Sequence, residues 1–158
     1  MHMADERKAS ELNRRQVGLP GSAMKGVFAA AEFSKLLERG RSREARGDVL
    51  VIGNGSDALD AARAALRAGA DKATVVCMGP DADMAFSVEE AAEAKREGVR
   101  IVHGWVPTSI AGHTDGRVSG AFFKRCDRVF DDGGHFAPKY DAKSTMAQYC
   151  DTLVLAGD

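Results

Sequence analysis

The sequence lacks any apolar run approaching the roughly 20 residues needed to cross a bilayer. It also has no secretory leader pattern; Met1-His2-Met3 reads instead as a cloning remnant. Positive charge is not in surplus. Lysine and arginine number 22 against 23 aspartates and glutamates, for a net charge of −1. That balance argues against a nucleic-acid binder, whose affinity rests on neutralising phosphates. Cysteine is scarce: Cys77, Cys126 and Cys150 are odd in number, widely spaced and form no C-x-x-C pair. Neither a disulfide framework nor a zinc site is indicated, and a reducing, cytoplasmic compartment fits. His103, His113 and His135 lack metal-ligand spacing and read as surface or packing residues. Trp105, beside Gly104 and Pro107, reads as a packing anchor. No Ser/His/Asp or paired-carboxylate constellation stands out, so no catalytic side chain and no metal ligand is assigned. Internal repeats and low-complexity tracts are missing as well.

What remains is the composition of an ordinary globular protein. The 158 residues are 44% hydrophobic and 28% charged, enough for one domain with its own core. The turn cluster Gly18-Leu19-Pro20-Gly21 follows a polar start, and apolar periodicity predicts a helix over residues 24–38. A charged connector, 41–46, leads to a strand at 49–52. An alanine-rich helix follows over 56–68, then a strand at 73–77. Ser87-Val88-Glu89-Glu90 is a capping box opening the next helix, which precedes a strand at 99–102. From 108 to 155 the pattern changes to short strands joined by hairpin turns at Asp115-Gly116 and Asp132-Gly133-Gly134. The expected fold is α/β: a Rossmann-like parallel sheet with flanking helices and an inserted antiparallel β-meander.

The chemistry concentrates at Gly53-Asn54-Gly55-Ser56-Asp57-Ala58, between the apolar strand at 49–52 and the helix. This is the G-x-G-x-x-G/A dinucleotide fingerprint in its strand–turn–helix context. Gly53 is expected to let the chain leave the strand tightly. Gly55 lets a pyrophosphate approach the backbone, and Ala58 lets the helix pack closely on the strand. The N–H groups of Ser56, Asp57 and Ala58 would then face an anion at the helix N-terminus. Asp57 either places a carboxylate at the phosphate entrance or points outward and favours the helix dipole. At the end of the next strand, Cys77-Met78-Gly79-Pro80 offers neither the carboxylate that holds an NAD ribose nor the arginine that suits an NADP phosphate. Asp81 and Asp83 lie just beyond and are either ribose ligands or solvated loop acids. With two acids and no arginine, NADH is favoured over NADPH.

These residues resemble a known family. Residues 51–76, VIGNGSDALDAARAALRAGADKATVV, are similar to the NAD(P)H-binding domain of flavoproteins like the glutamate synthase small subunit, in the pyridine nucleotide–disulfide oxidoreductase superfamily. The turn at 18–21 with the helix over 27–37 resembles the linker from the family's flavin domain. Residues 89–99 followed by Gly104-Trp105-Val106-Pro107 resemble the segment after the second strand. Residues 125–131 and Phe136-Ala137-Pro138 resemble the meander of the branch tied to iron–sulfur complexes, and 151–156 the strand that returns to the flavin domain. The resemblance runs from about Asn13 onward. Two positions depart from the family: Met78-Gly79-Pro80-Asp81 replaces an arginine-rich stretch or a glutamate, and Ser56 replaces an asparagine.

The resemblance implies a nicotinamide-nucleotide-binding domain of an FAD-dependent oxidoreductase, with residues 1–20 as tag and linker and 21–158 as the domain. NAD(P)H would be positioned for hydride transfer to a flavin held by a partner domain outside this chain, and iron–sulfur electron-transfer subunits would be further partners. Gly53, Asn54, Gly55, Ser56 and Asp57 would frame the pyrophosphate, Gly79 and Asp81 the adenosine ribose, and Ala156 and Gly157 the nicotinamide. Only one glycine fingerprint is present, so FAD is expected in a full-length protein only, and the chain looks like an excised domain, inactive when isolated. The alternative is a degenerate module that acts as an interaction scaffold in an electron-transfer complex.

Overall fold

A computed structural model describes residues 19–80 and 85–156. Its order is β1 (Val27–Ala29), α1 (Ala30–Glu38), a 3-10 turn (Ser42–Ala45), β2 (Asp48–Ile52), α2 (Ser56–Arg67), β3 (Lys72–Cys77), α3 (Val88–Arg96), β4 (Arg100–His103), β5 (Trp105–Gly112), β6 (Val118–Phe130), β7 (Phe136–Tyr149) and β8 (Thr152–Leu155). Five strands form a parallel sheet in the order β1-β8-β2-β3-β4, and β5-β6-β7 form an antiparallel sheet. The expected α/β fold with an antiparallel insertion is therefore present.

The apolar run of β2 explains the layering. Its side chains alternate: Val49 and Val51 enter the core shared with α1, α2 and α3, while Leu50 and Ile52 enter the core shared with the antiparallel sheet. A strand buried on both faces needs an unbroken apolar run, and β2 has one. On the helical side the small residues Ala58, Ala61, Ala62 and Ala65 bring α2 close to the sheet, beside Leu59 and Phe33. On the other side Ile110, Val118 and Phe123 pack against Leu50, Ile52, Val76 and Leu153. The far end of the meander curls round to the helical side, where Phe130 meets Phe136 edge-on at 5.9 Å between ring centres. Truncating a fully buried Leu50 or Phe123 to alanine would cost about 2–5 kcal/mol.

Helix ends follow the sequence signals. Ala70 N–H reaches Ala65 O and Gly69 N–H reaches Leu66 O, a Schellman stop that needs the φ of +112° at Gly69. Ser87 and Glu90 close the capping box reciprocally.

Two expectations are corrected. The helix over 24–38 begins only at Ala30, because Val27–Ala29 is a strand pairing with Leu153–Leu155. Gly26, at φ +88°, breaks any helix there, and sheet pairing with a distant strand overrides the local period. The meander strands are long rather than short: β6 spans 13 residues and β7 14. Register shifts near Lys124, Cys126 and Arg128 bend the pair, and these bulges obscure the alternation that marks a strand.

Candidate functional site

The C-terminal ends of β2, β3, β4 and β8 lie side by side, and the strand order turns between β2 and β8. Such a switch point in an open parallel sheet is where α/β proteins place ligands. Gly53 ends β2 there. A Cβ on Gly53 would stand 2.7 Å from Ala156 Cβ and 2.8 Å from Ala58 Cβ. Its backbone is not in the left-handed region. Any side chain at Gly53 would thus meet Ala58 of α2 and Ala156 just after β8.

Asn54 is wholly buried. Its Oδ1 accepts from Met78 N–H at 2.7 Å and its backbone carbonyl accepts from Ala85 N–H at 3.1 Å. One side chain therefore ties the glycine turn to the segment after β3. Asn54 Nδ2 is buried without a hydrogen-bond partner, and so is Ser56 Oγ. Unsatisfied buried donors are costly, on the order of 1–3 kcal/mol each. Both are in the fingerprint, and they are the two such side-chain atoms found among the described residues.

Gly55 is the N-cap of α2 in an extended conformation, φ −129° and ψ −175°. Asp57 is exposed, and its Oδ1 accepts from Ala58 N–H at 3.1 Å. That N–H also reaches Gly55 O, so it is engaged rather than open as expected from sequence. The cause is local: a short carboxylate in the first turn competes for the N–H groups that an anion would use. Glu90, one turn into α3, faces the same corner. The Ser56 hydroxyl, although outside strict hydrogen-bond geometry, is the largest influence holding the Glu90 carboxyl below the usual carboxylate range, and the Ser87 backbone and hydroxyl add to it.

After β3, Gly79 is buried, and His103 Nδ1 lies 3.2 Å from its carbonyl. His103 is thereby drawn to the turn after β3, which sequence reading missed. Its place was readable in one respect: it ends the strand beside β3, paired with Cys77. Arg125 from β6 donates to His103 O at 3.4 Å and lies over the Trp105 ring, 5.3 Å from its centre. Ala156 is buried, with its N–H on Ile52 O. Asp81, Asp83 and Gly157 lie outside the described residues.

The other candidates sit elsewhere. His113 and His135 are at the hairpin turns, and His135 pairs with Asp131 at 3.4 Å. All three cysteines are buried, and burial pushes the Cys150 thiol up to about 12. No group of three or more His, Cys, Asp or Glu that could hold a metal occurs among the described residues. No described helix is long and apolar enough to cross a membrane. A hollow of about 600 Å³ lined by Gly40, Arg41, Arg43, Glu44 and Arg46 lies just ahead of β2, at the opposite end of that strand from the glycine turn.

No protein-family model matches the chain. It is 30% identical over 129 residues to the NADPH-Fe(3+) oxidoreductase subunit beta of Geobacter sulfurreducens, a match covering 79% of this chain and 19% of that one. It is 28% identical over 112 residues to the glutamate synthase (NADPH) small chain of Azospirillum brasilense, covering 63% of this chain and 23% of that one. The chain thus spans about a fifth of the length of these curated relatives. Among solved structures, FprA of Mycobacterium tuberculosis in complex with NADPH superimposes with a TM-score of 0.70 at 17% identity, covering 89% of this chain and 46% of that one. That likeness is one of fold.

Proposed function

We propose that this chain, a relative of the glutamate synthase small subunit-like oxidoreductases over part of their length, is the nicotinamide-nucleotide-binding domain of an FAD-dependent enzyme. The observation that carries the reading is Asn54 Nδ2, buried without a hydrogen-bond partner inside the fingerprint turn, with Ser56 Oγ beside it meeting the Glu90 carboxyl only outside strict hydrogen-bond geometry. Buried polar groups without partners call for an explanation, and a ligand completing them supplies one. An anionic pyrophosphate suits an amide N–H, a hydroxyl and the N-terminus of α2.

In this reading Gly53, Asn54, Gly55, Ser56 and Asp57 hold the pyrophosphate, Gly79 and Asp81 the adenosine ribose, and Ala156 and Gly157 the nicotinamide end. Asn54 fixes the distance between the first two groups through its bond to Met78 N–H. The dinucleotide supplies the hydride; the chain's residues bind it, orient it and shield one side from water. The domain covers 21–158, is cytoplasmic and prefers NADH. It works against a flavin domain carrying FAD outside this chain, with iron–sulfur subunits as further partners.

A second reading has its own observation. The engaged Ala58 N–H and the carboxylate of Asp57 weaken the anion site, as a scaffold that has lost its nucleotide would allow. Calorimetric titration separates the two. The first reading expects saturable NADH or NADPH binding with a dissociation constant in roughly the micromolar to millimolar range, abolished in folded Gly55→Val. It also expects modest tightening in Asp57→Asn, larger at low salt. No heat and no thermal shift at millimolar nucleotide would favour the scaffold.

A further inference from the structure

Asn54 holds the chain on both sides of the crossover from β3 to α3. Its Oδ1 accepts from Met78 N–H at 2.7 Å, and its backbone carbonyl accepts from Ala85 N–H at 3.1 Å. The remaining arm of its amide, Nδ2, is buried and has no partner. We propose that Asn54 is a positioning residue that couples the glycine turn to this crossover: an anion that takes the Nδ2 hydrogen bond locks the residue, and with it Met78 and Ala85. The inference rests on the anion-binding reading of the turn given above.

The partner of one arm settles the identity of the other. A backbone N–H can only donate, so the atom facing Met78 is Oδ1 and the open arm is Nδ2. A buried donor without an acceptor weakens the closed arrangement, because opening returns that donor to water. Opening also breaks the bond to Met78, since both arms belong to one planar amide. An acceptor supplied to Nδ2 removes the incentive to open. A phosphate oxygen suits, being charged and able to accept, and the turn stands at the N-terminus of the 12-residue helix α2, which favours an anion. A ligand held only by the closed state suppresses opening by one plus the ratio of its concentration to its dissociation constant, about tenfold at ten times that constant. The Met78 and Ala85 amides are both committed to Asn54, so neither has a hydrogen to offer the anion. Their response therefore comes through Asn54. Cys77, Met78, Ala85 and Phe86 are all buried, so exchange of these amides with solvent requires opening. Coupling of this kind is reciprocal, and it favours a whole dinucleotide over either of its fragments.

The test is amide-resolved hydrogen exchange on the full chain, with inorganic pyrophosphate as the probe. Pyrophosphate carries no adenosine and no nicotinamide, so it reports on the turn alone. At about ten times its dissociation constant, exchange at Met78 and Ala85 should slow by about tenfold. His113, whose N–H bonds Arg117 O at the hairpin after β5, should be unaffected. In Asn54→Ala, folded by circular dichroism and brought to the same saturation, Met78 should no longer respond. Continued slowing at Met78 in that variant would overturn the coupling. The parent experiment also stands without the variant: pyrophosphate that shifts the Ser56 and Asp57 resonances but leaves Met78 and Ala85 unslowed would overturn the coupling while sparing the anion site. Equal slowing at His113 would overturn it as well, by showing a general stabilisation. No saturable binding of pyrophosphate would overturn the coupling and the anion site together.

Discussion

Replacing Gly53 with alanine tests the packing beneath the proposed site without touching a polar group. The added methyl would stand 2.7 Å from Ala156 Cβ and 2.8 Å from Ala58 Cβ, with Ala156 O at 3.3 Å. Contacts this short are not tolerated, and neither obstacle is the mobile end of a long side chain. Each Cβ moves only with its backbone, so α2 at Ala58 and the chain at Ala156 must both shift. Overpacking in a well-filled core costs about 1–3 kcal/mol, and the absence of any soft neighbour places this case near about 2–3 kcal/mol. For a domain of this size that lowers the midpoint of thermal unfolding by roughly 4–12 °C. Scanning calorimetry on parent and variant measures the drop. Ala58→Gly removes one of the two obstacles and leaves the other, so Gly53→Ala should cost less in that background, by roughly 0.5–1 kcal/mol of coupling. Additive costs in the double variant, or an unchanged midpoint for Gly53→Ala, would refute the claim that β2, α2 and Ala156 meet at this glycine.

Three further outcomes are expected. Asn54→Asp keeps an acceptor for Met78 N–H but places a carboxylate oxygen where Nδ2 was, so nucleotide binding should be lost while the fold survives. Paired titration and circular dichroism check this. Glu90 titrates below the usual carboxylate range in the folded protein, so its contribution to stability is complete above the ordinary carboxylate value near about pH 4.3. That contribution disappears as pH falls through the lower folded value, and Glu90→Gln should narrow its midpoint gap to the parent on acidification between about pH 6 and 3. Cys150, buried and pushed up to about 12, should resist iodoacetamide at about pH 8 in the folded chain and react once denaturant opens it.

The part of the fold that could be read in advance is the part whose partners are close in sequence. The strand–turn–helix–strand unit from β2 to β3 announces itself through an apolar run, a glycine turn and an alanine-rich helix. β1 does not, because its hydrogen bonds go to Leu153–Leu155, more than a hundred residues on, and nothing near Val27 signals them. The length of β6 and β7 was hidden by bulges and by a solvent-facing side that carries Lys, Asp and Thr among its strand residues. The same division holds at the site. The glycine turn is a local motif, whereas His103 and Glu90 reach it only when β4 and α3 fold back beside β3 and α2. The unpaired state of Asn54 Nδ2 and Ser56 Oγ is invisible in sequence, since it depends on burial.

The central claim is that a dinucleotide binds at the C-terminal edge of the sheet. The measurement that meets it most directly is an amide-resolved NMR titration of the chain with NADH. Saturable shifts are predicted at Gly53 to Ala58, Met78, Gly79, His103 and Ala156, with the arginine-lined hollow around Arg43 unaffected. Shifts confined to that hollow, or none at millimolar nucleotide, would contradict the account.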